Sequence, residues 1–367
     1  MKNVLRAVLV LFMISTVSCK KDNNNKEDTT KPGVYLKESS TLGKYFADEK
    51  GMTLYFFTKD IMGESMCTEG CLDAWPIYYN AEMMVGEGLQ KSDFASITRA
   101  DGKMQNTYKG WPLYYFSNDK DMGDTKGEAV KGVWYVAKED YTVLFANAQL
   151  VGKDGKNYMS DYTEGDGMTQ FMVNMDGVTI YTFKKDTEGK NNFTTGDATH
   201  DAPWPIADLS VEKMTIPSNL NLSDFSEIDV MGKTQSTYKG WPLYYFAGDA
   251  GEKGMTKGVS VPKPGIWPIV NTQTTMATPT PSASEVAETY FNSNLKTIID
   301  NKCTSCHAGY HNQSNDSNYT TFAEAMKRAG GLYSKVNSGA MPKGGDKLPQ
   351  SEIDMFKKFS ELVADIK

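Results

Sequence analysis

The feature that most constrains the fold of this 367-residue chain is a long internal repeat. Residues 105–116 (QNTYKGWPLYYF) return almost unchanged at residues 235–246 (QSTYKGWPLYYF), an offset of 130 (235 − 105). Such self-similarity indicates that one structural unit occurs more than once. The sequence therefore predicts two copies of one module, over residues 34–140 and 148–271.

Each module also contains a shorter repeat. Four segments share the pattern Gly-x-(Thr/Pro)-(Leu/Ile)-Tyr-x-Phe-x-x-Asp, and a tryptophan follows each aspartate at a matched distance. The segments are residues 51–60, 110–119, 177–186 and 240–249, and the tryptophans are Trp75, Trp134, Trp204 and Trp267. We infer four half-units, paired into two modules.

The residue types of these segments favour β-strands. Runs such as Leu-Tyr-Phe-Phe are aromatic and bounded by glycine, proline and aspartate, as strands and their turns are. Period-two alternation places Tyr55 and Phe57 on one face and Phe56 on the other. We expect each terminal aspartate to accept backbone amides of the following turn. The alternative is a calcium or other cation site, which acidic loops can form.

These segments resemble the secreted-repeat lipoprotein family that is named for its Tyr-x4-Asp motif. The motif is carried here by Tyr55/Asp60, Tyr114/Asp119, Tyr181/Asp186 and Tyr244/Asp249. The resemblance covers about two thirds of the chain and implies little chemistry, because the family's activity is undefined. The pair Cys67 and Cys71 before Trp75 also belongs to the family's usual pattern. Module two departs from it, with Gly196 and His200 at the matching positions.

Cys67 and Cys71 are expected to form a disulfide, since close cysteine pairs outside the reducing cytoplasm usually do. Met62 and Met66 lie beside them, and soft sulfur ligands select Cu(I), so a copper site is the alternative. A zinc site is disfavoured, because only two cysteines are present and no histidine is near. His200 is expected to be an exposed loop residue, with metal binding as its alternative.

A second motif, Cys303-Thr304-Ser305-Cys306-His307, stands near the carboxyl end. Two cysteines two residues apart, followed at once by histidine, are the attachment signature of a c-type haem. Apolar residues at helical spacing predict one helix over residues 284–301 and another beginning at Ser351. Between them lies Met341, 34 residues past the histidine (341 − 307).

Residues 285–367 thus resemble the small, all-α class I cytochrome c domain. The resemblance implies one covalent haem c held by Cys303 and Cys306, with His307 and Met341 as the iron ligands. Met326 and Met355 are competing sulfurs, but both fall on predicted helices as core residues. His311 shares a helical face with His307 and is expected at the surface.

Residues 1–19 have the features of an export signal. Lys2 and Arg6 precede a short apolar run, and small residues lead to Cys19. This ending resembles a bacterial lipobox, although Thr16 stands where leucine is usual. We expect lipidation of Cys19, a polar tether over residues 20–33, and an anchor in the bacterial cell envelope. The outer membrane, on its periplasmic or surface face, is the predicted location.

The remaining composition excludes some partners. The formal net charge is −7 and no long basic run follows the signal, which argues against nucleic acid. Residues 272–284, rich in threonine, proline and serine, are predicted to be a flexible or semi-rigid linker.

The sequence as a whole predicts a multidomain protein, with two mainly-β repeat modules followed by a small all-α cytochrome c domain. Its expected function is electron transfer to an unidentified redox partner protein rather than enzyme catalysis. The β modules would serve as docking or spacer elements, and exposed aromatic residues could contact a partner. Two alternatives are a haem-based sensor or enzyme for small ligands, and a surface adhesion or scaffold lipoprotein with an accessory haem.

Overall fold

The computed structural model of the chain describes residues 31–304 and 319–366. The first two thirds of the chain form short β-strands in small sheets, and helices follow, as the sequence predicts at this level. Two compact units are present, one of residues 31–57 with 64–139 and one of residues 58–63 with 140–366. Within the described ranges, no helix is both long and apolar enough to cross a membrane.

The first unit contains three small sheets. Its strands are Gly33–Ser39, Gly43–Asp48, Tyr55–Phe57, Met84–Val85, Phe94–Thr98, Met104–Tyr108, Trp111–Pro112 and Trp134–Val136, with one short helix, Cys71–Ala74. The first two strands pair antiparallel, and Tyr55–Phe57 pairs antiparallel with Trp134–Val136. The third sheet is a meander of Phe94–Thr98, Met104–Tyr108 and Trp111–Pro112.

The repeated Tyr-Lys-Gly-Trp sequence forms a two-residue hairpin turn in both modules. Tyr108 pairs with Trp111, and the two residues between them have positive φ, 46° at Lys109 and 79° at Gly110. In module two the same turn has φ of 50° at Lys239 and 83° at Gly240. Two positive φ values match the right-handed twist of the flanking strands. The repeat therefore fixes the register of this hairpin.

Both faces of the strand Tyr55–Phe57 are buried, and its side chains alternate as predicted. Tyr55 and Phe57 pack in a cluster with Trp75 and Trp134. Phe56 contacts a different set of rings, among them Phe46, Tyr108 and Trp111. The strand thus separates two aromatic clusters of one module.

Module two repeats this plan. Its strands are Leu144–Val151, Asn157–Tyr158, Met168–Val173, Tyr181–Thr182, Phe225–Val230, Lys233–Tyr238 and Trp241–Tyr244, and its short helix is Ala198–Asp201. The first and third strands pair antiparallel, and the last three form the meander. The pairing Thr142 to Thr215 places residues 140–147 with this unit, so it begins before residue 148. Residues 58–63 also belong to this unit. The side chains of Ile61 and Met62 lie so close to Gly254 that a Cβ added there would clash with them.

Most of the predicted linker is bound to module two. The Trp241 indole donates to the Thr275 carbonyl at 2.9 Å, and the Ala277 amide donates to the Lys239 carbonyl at 2.9 Å. The hydroxyls of Thr187 and Thr280 lie 2.6 Å apart. Residues 272–280 therefore extend the module, and the expectation of a free spacer over 272–284 does not hold for them.

The second unit ends in a helical region. Its helices are Ala283–Tyr290, the π-helical turn Phe291–Leu295, Lys296–Lys302, Phe322–Lys327, Ala329–Asn337 and Gln350–Ala364. A capping box between Ser282 and Glu285 starts the first helix. The three consecutive helical segments from Ala283 to Lys302 together match the predicted span 284–301 closely. The last helix begins at Gln350 after Pro349, so Ser351 lies inside it and does not cap it.

Apolar side chains from these helices form one core. Its buried members are Ala287, Phe291, Leu295, Ile299, Ala325, Ala329, Val336, Leu348, Ile353, Phe356, Phe359 and Val363. Met326 and Met355 pack against it as partly buried residues, in agreement with their interpretation as core sulfurs.

Candidate functional site

The tyrosines and aspartates of the repeated segments form buried hydrogen bonds between half-units. Tyr55 donates its hydroxyl to Asp119 Oδ2 at 2.6 Å. In module two the exchange is reciprocal: Tyr181 donates to Asp249 at 2.7 Å and Tyr244 donates to Asp186 at 2.8 Å. These bonds join residues far apart in sequence, so they connect the two half-units of a module.

The second carboxylate oxygen accepts a backbone amide, as predicted. Asp119 Oδ1 accepts from the Lys126 amide at 3.0 Å, and Asp249 Oδ1 accepts from the Lys257 amide at 2.8 Å. Asp186 accepts from the Asn192 amide at 2.7 Å. Each of these carboxylates therefore ties a loop to the tyrosine of the other half-unit.

Burial alters the acidity of these groups. Removal from water raises the pKa of Asp186 and of Asp249 to about 6, because desolvation outweighs the hydrogen bonds that they accept. The pKa of Asp119 is also raised, again mainly by burial. Burial and the adjacent carboxylates raise the pKa values of Tyr55 and Tyr244, so both phenols stay protonated and donate.

The matched tryptophans stack in pairs. Trp75 and Trp134 lie with ring centroids 3.8 Å apart and planes 2° apart, and Trp204 and Trp267 lie 3.7 Å and 6° apart. A phenylalanine of the repeated segments covers each outer face, which gives a stack of four rings per module: Phe57–Trp134–Trp75–Phe116 and Phe183–Trp267–Trp204–Phe246. The regular spacing of the tryptophans in the sequence therefore reflects their packing in the aromatic core of each module.

This burial corrects the idea that the aromatic residues of the repeats form an exposed docking surface. The four stacked tryptophans are at most 5% exposed, and Tyr55, Tyr114, Tyr181 and Tyr244 are fully buried. Aromatic anchors act at interfaces only where a partner can reach them. These tryptophans and tyrosines are therefore out of reach of a partner.

Sequence reasoning missed two glycines that this core requires. An added Cβ at Gly127 would lie 2.7 Å from the Tyr55 ring, and one at Gly258 would lie 2.7 Å from Trp204. Each glycine ends a Thr-Lys-Gly tripeptide whose lysine amide binds the aspartate described above. The recurrence of that tripeptide, at residues 125–127 and 256–258, is the sequence signal that could have identified these two glycines.

In module one a disulfide joins Cys67 and Cys71, with Cα atoms 5.4 Å apart. The buried guanidinium of Arg99 holds the loop that carries it: Arg99 donates to the Cys67 carbonyl at 2.8 Å, to Gln105 Oε1 at 2.7 Å and to Ser65 Oγ. Met62 and Met66 are both 56% exposed. The arginine was not identified from the sequence, because nothing local marks it as buried.

Module two closes the same loop differently. The Asn191 amide donates to Gln235 Oε1 and to Thr194 Oγ1, each at 2.8 Å. His200, exposed as predicted, lies 2.8 Å from Asp201 Oδ1 through its Nδ1 and packs against the Phe193 ring. Among residues 31–304 and 319–366, no group of three or more His, Cys, Asp or Glu is arranged to hold a metal ion. The cation alternative therefore gains no support from the described part of the chain.

The helical region contains a cavity of about 450 Å³. Cys303, which follows the helix Lys296–Lys302, and Met341, which lies in the loop before Gln350–Ala364, both line it. The other lining residues are Tyr319, Lys327, Arg328, Gly331, Leu332, Lys335, Val336 and Phe356. Two predicted site residues, 38 positions apart (341 − 303), thus face one space. Cys306, His307, His311 and Cys19 lie outside the described residues.

Three stretches, residues 39–78, 95–138 and 228–271, match the model of a lipoprotein family described as a secreted repeat of unknown function. Each stretch contains one Tyr–Asp segment of the repeat. No curated protein and no solved structure matches the chain. The β modules are therefore similar to a family of secreted repeats, in agreement with the predicted export of a repeat lipoprotein to the cell envelope.

Proposed function

We propose that the chain is an exported, lipid-anchored monohaem cytochrome that transfers single electrons, with its β modules as docking or spacer elements. The observation that carries the proposal is the shared cavity of Cys303 and Met341. Cys303 opens the Cys-x-x-Cys-His motif, and Met341 is the sulfur that the class I cytochrome c resemblance assigns to the opposite side. The sequence and the packing of the helices thus point to the same pair.

The lining of the cavity suits a planar, largely apolar cofactor that carries carboxylates. Leu332, Val336 and Phe356 provide apolar walls, as in most cofactor sites. Lys327, Arg328 and Lys335 provide positive charge, and such side chains bind carboxylates by charge-assisted hydrogen bonds. The volume of about 450 Å³ falls within the range of cofactor pockets, on the order of 300–1,000 Å³.

Each residue would have a defined role. When bound, haem c supplies an iron that gains and loses one electron. The thiols of Cys303 and Cys306 would hold the porphyrin covalently, and His307 would bind the iron. The half-buried thioether of Met341 would be the second protein ligand, and such a ligand raises the reduction potential. With two protein ligands, the iron would transfer electrons and exclude small ligands.

The test is an absorption spectrum of protein made in cells that mature c-type cytochromes. The wild type should show the weak near-infrared band of sulfur–iron ligation, and Met341→Ala should abolish it and admit carbon monoxide. Met355→Ala is the matched control, because Met355 packs against the helical core and does not line the cavity. Protein without covalent haem would overturn the proposal. Wild-type protein that binds carbon monoxide readily would favour the sensor or enzyme alternative.

The anchor is tested separately. Cys19 is the proposed lipid attachment site, so Cys19→Ala should leave the protein unprocessed and should move it out of the membrane fraction. Mass spectrometry of the amino-terminal peptide should find lipid on Cys19 of the wild type. A variant that fractionates like the wild type would contradict the anchor.

A further inference from the structure

Module two contains a cavity of about 690 Å³ beside its short helix Ala198–Asp201. Ile206, Val230 and Met231 give it an apolar wall, together with Trp204. Asp201 and the exposed Lys233 lie in the same lining. The cavity therefore combines an apolar surface with one carboxylate and with one ammonium group that solvent screens.

The cavity lies where module one holds its arginine. Counted back from the tryptophan, Thr194 matches Ser65 at ten residues (204 − 194 and 75 − 65) and Gly196 matches Cys67 at eight (204 − 196 and 75 − 67). Ser65 and Cys67 are contacts of the Arg99 guanidinium, whereas Thr194 and Gly196 line the cavity. No arginine stands in module two, since residues 148–271 contain none.

Module two also supplies a negative charge that module one lacks at this point. Asp201 stands three residues before its tryptophan, where module one has Leu72 (204 − 201 and 75 − 72). Asp201 Oδ1 accepts from the Thr195 amide and lies near His200 Nδ1, whereas Oδ2 accepts only the Gly196 amide, at 2.8 Å, in the contacts described. A carboxylate oxygen has two lone pairs, so Oδ2 can accept a further donor.

The electrostatics keep that carboxylate ionised. Partial burial alone would raise its pKa, but the hydrogen bonds from His200, Thr195 and Gly196 together lower the pKa of Asp201 to about 2. A planar, charged donor group is the partner that a carboxylate prefers. An aliphatic stem behind that group would cover the apolar wall, as arginine stems do.

We propose that this cavity binds a guanidinium group on an aliphatic stem, so that a ligand fills in module two the space that the Arg99 side chain fills in module one. Asp201 would accept the guanidinium, and Ile206, Val230 and Met231 would contact the stem. The source is either a free guanidino compound or an arginine of a polypeptide, which share this chemistry.

The experiment titrates N-acetyl-arginine amide into the full-length protein with ¹³C-labelled methionine methyl groups. The Met231 methyl signal, assigned by its loss in Met231→Leu, should shift on binding, while that of Met122, an exposed methionine of module one, should not. The neutral isostere N-acetyl-citrulline amide should bind at least tenfold more weakly. No shift at Met231, or equal binding of the two amides, would overturn the proposal.

Two variants test the roles of the residues. Asp201→Asn should weaken binding at least tenfold, and Asp73→Asn, in the matching helix Cys71–Ala74 of module one, should not. Because Asp201 also holds the amides of Thr195 and Gly196, a second variant is needed. Ala198→Phe keeps those bonds and narrows the cavity from its exposed side, so it should weaken binding as well. Unchanged affinity in both variants would contradict the site.

The source of the group follows from a third titration, with n-butylguanidinium, which carries the group on an aliphatic stem without peptide amides. Equal or tighter binding of n-butylguanidinium than of N-acetyl-arginine amide supports a free guanidino compound. Binding that is at least tenfold weaker supports an arginine of a polypeptide.

Discussion

In each module a loop precedes the Trp-Pro pair, and the two modules close this loop by different interactions. In module one a disulfide and a buried arginine hold it, whereas in module two Asn191 and Asp201 do so with neutral and backbone hydrogen bonds. Beneath the loop the two modules are alike. Both have the stacked tryptophans, the Tyr–Asp bonds and a glutamine that donates to a leucine carbonyl, Gln105 to Leu113 and Gln235 to Leu243.

This difference teaches that the aromatic and Tyr–Asp core specifies the fold, and the loop closure does not. A disulfide that closes a five-residue loop contributes little, because the entropy it removes from the unfolded chain grows with loop length. The closure is therefore free to vary, and the variable loop is the part of the module that can acquire a ligand site.

The substitution Arg99→Met should produce the largest difference in stability between the modules. The variant leaves Gln105 Oε1 and the Cys67 carbonyl without their buried donor, so it should destabilise module one by about 3 kcal/mol. The matched variant Asn191→Ala in module two removes neutral bonds and should cost about 1–2 kcal/mol. Amide hydrogen exchange, resolved by module, measures both. Equal effects would show that the two closures are equivalent.

The second prediction concerns pH. The pKa values of Asp186 and Asp249 are about 6 in the folded chain and ordinary, 3.8, when unfolded, so the folded state binds protons more tightly. Stability from these groups is greatest below pH 4 and falls as pH rises through 6, by up to about 2–3 kcal/mol for each carboxyl. Urea unfolding between pH 4 and 7 measures this slope. Asp249→Asn should reduce it, and an unchanged slope would contradict the assignment.

The third prediction concerns what the modules share. Gly127→Ala and Gly258→Ala each push a methyl group into the tyrosine and tryptophan rings, so each should cost about 2 kcal/mol. The effects should be equal, since the geometry is the same. Gly70→Ala is the control, because an added Cβ there meets nothing within 4 Å and Gly70, like Gly127 and Gly258, has no positive φ. The urea unfolding midpoints of the three variants show whether the loss of stability comes from packing clashes or from a change in chain flexibility.

The smallest effect is expected for Cys67→Ser/Cys71→Ser. Loss of the bond should destabilise module one by about 1–2 kcal/mol and leave its fold intact, because module two folds with Gly196 and His200 at these positions. Circular dichroism and the module-resolved exchange rates test this. A variant that fails to fold would show that the loop closure, and not the aromatic core alone, specifies the fold of module one.

The repeat predicted much of this arrangement. Strand positions, the alternation at Tyr55 and Phe56, and the helices over residues 284–301 and from about Ser351 follow from local periodicity, and the structure confirms them. Local patterns cannot say which tyrosine meets which aspartate. Tyr55 donates to Asp119, and that pairing depends on how the half-units associate.

The same limit applies to the sites. The Cys-x-x-Cys-His motif predicts haem attachment at Cys303, but the approach of Cys303 to Met341 depends on the helix Ala329–Asn337, which carries no comparable motif. Arg99 was not recognised, because an arginine is usually exposed and its burial depends on the distant Ser65 and Cys67. Long-range contacts of this kind are set by packing.

The bound segment 272–280 limits the reach of the helical region. A free linker of the predicted length could extend about 45 Å, at about 3.5 Å per residue. With Thr280 held at Thr187 and the helix starting at Ala283, only Pro281 and Ser282 separate the two attachments, which therefore lie at most about 10 Å apart along the chain. So short a tether gives the helical region little freedom to move away from module two. A redox partner of the kind proposed above would therefore have to reach the helical region at the place where module two holds it.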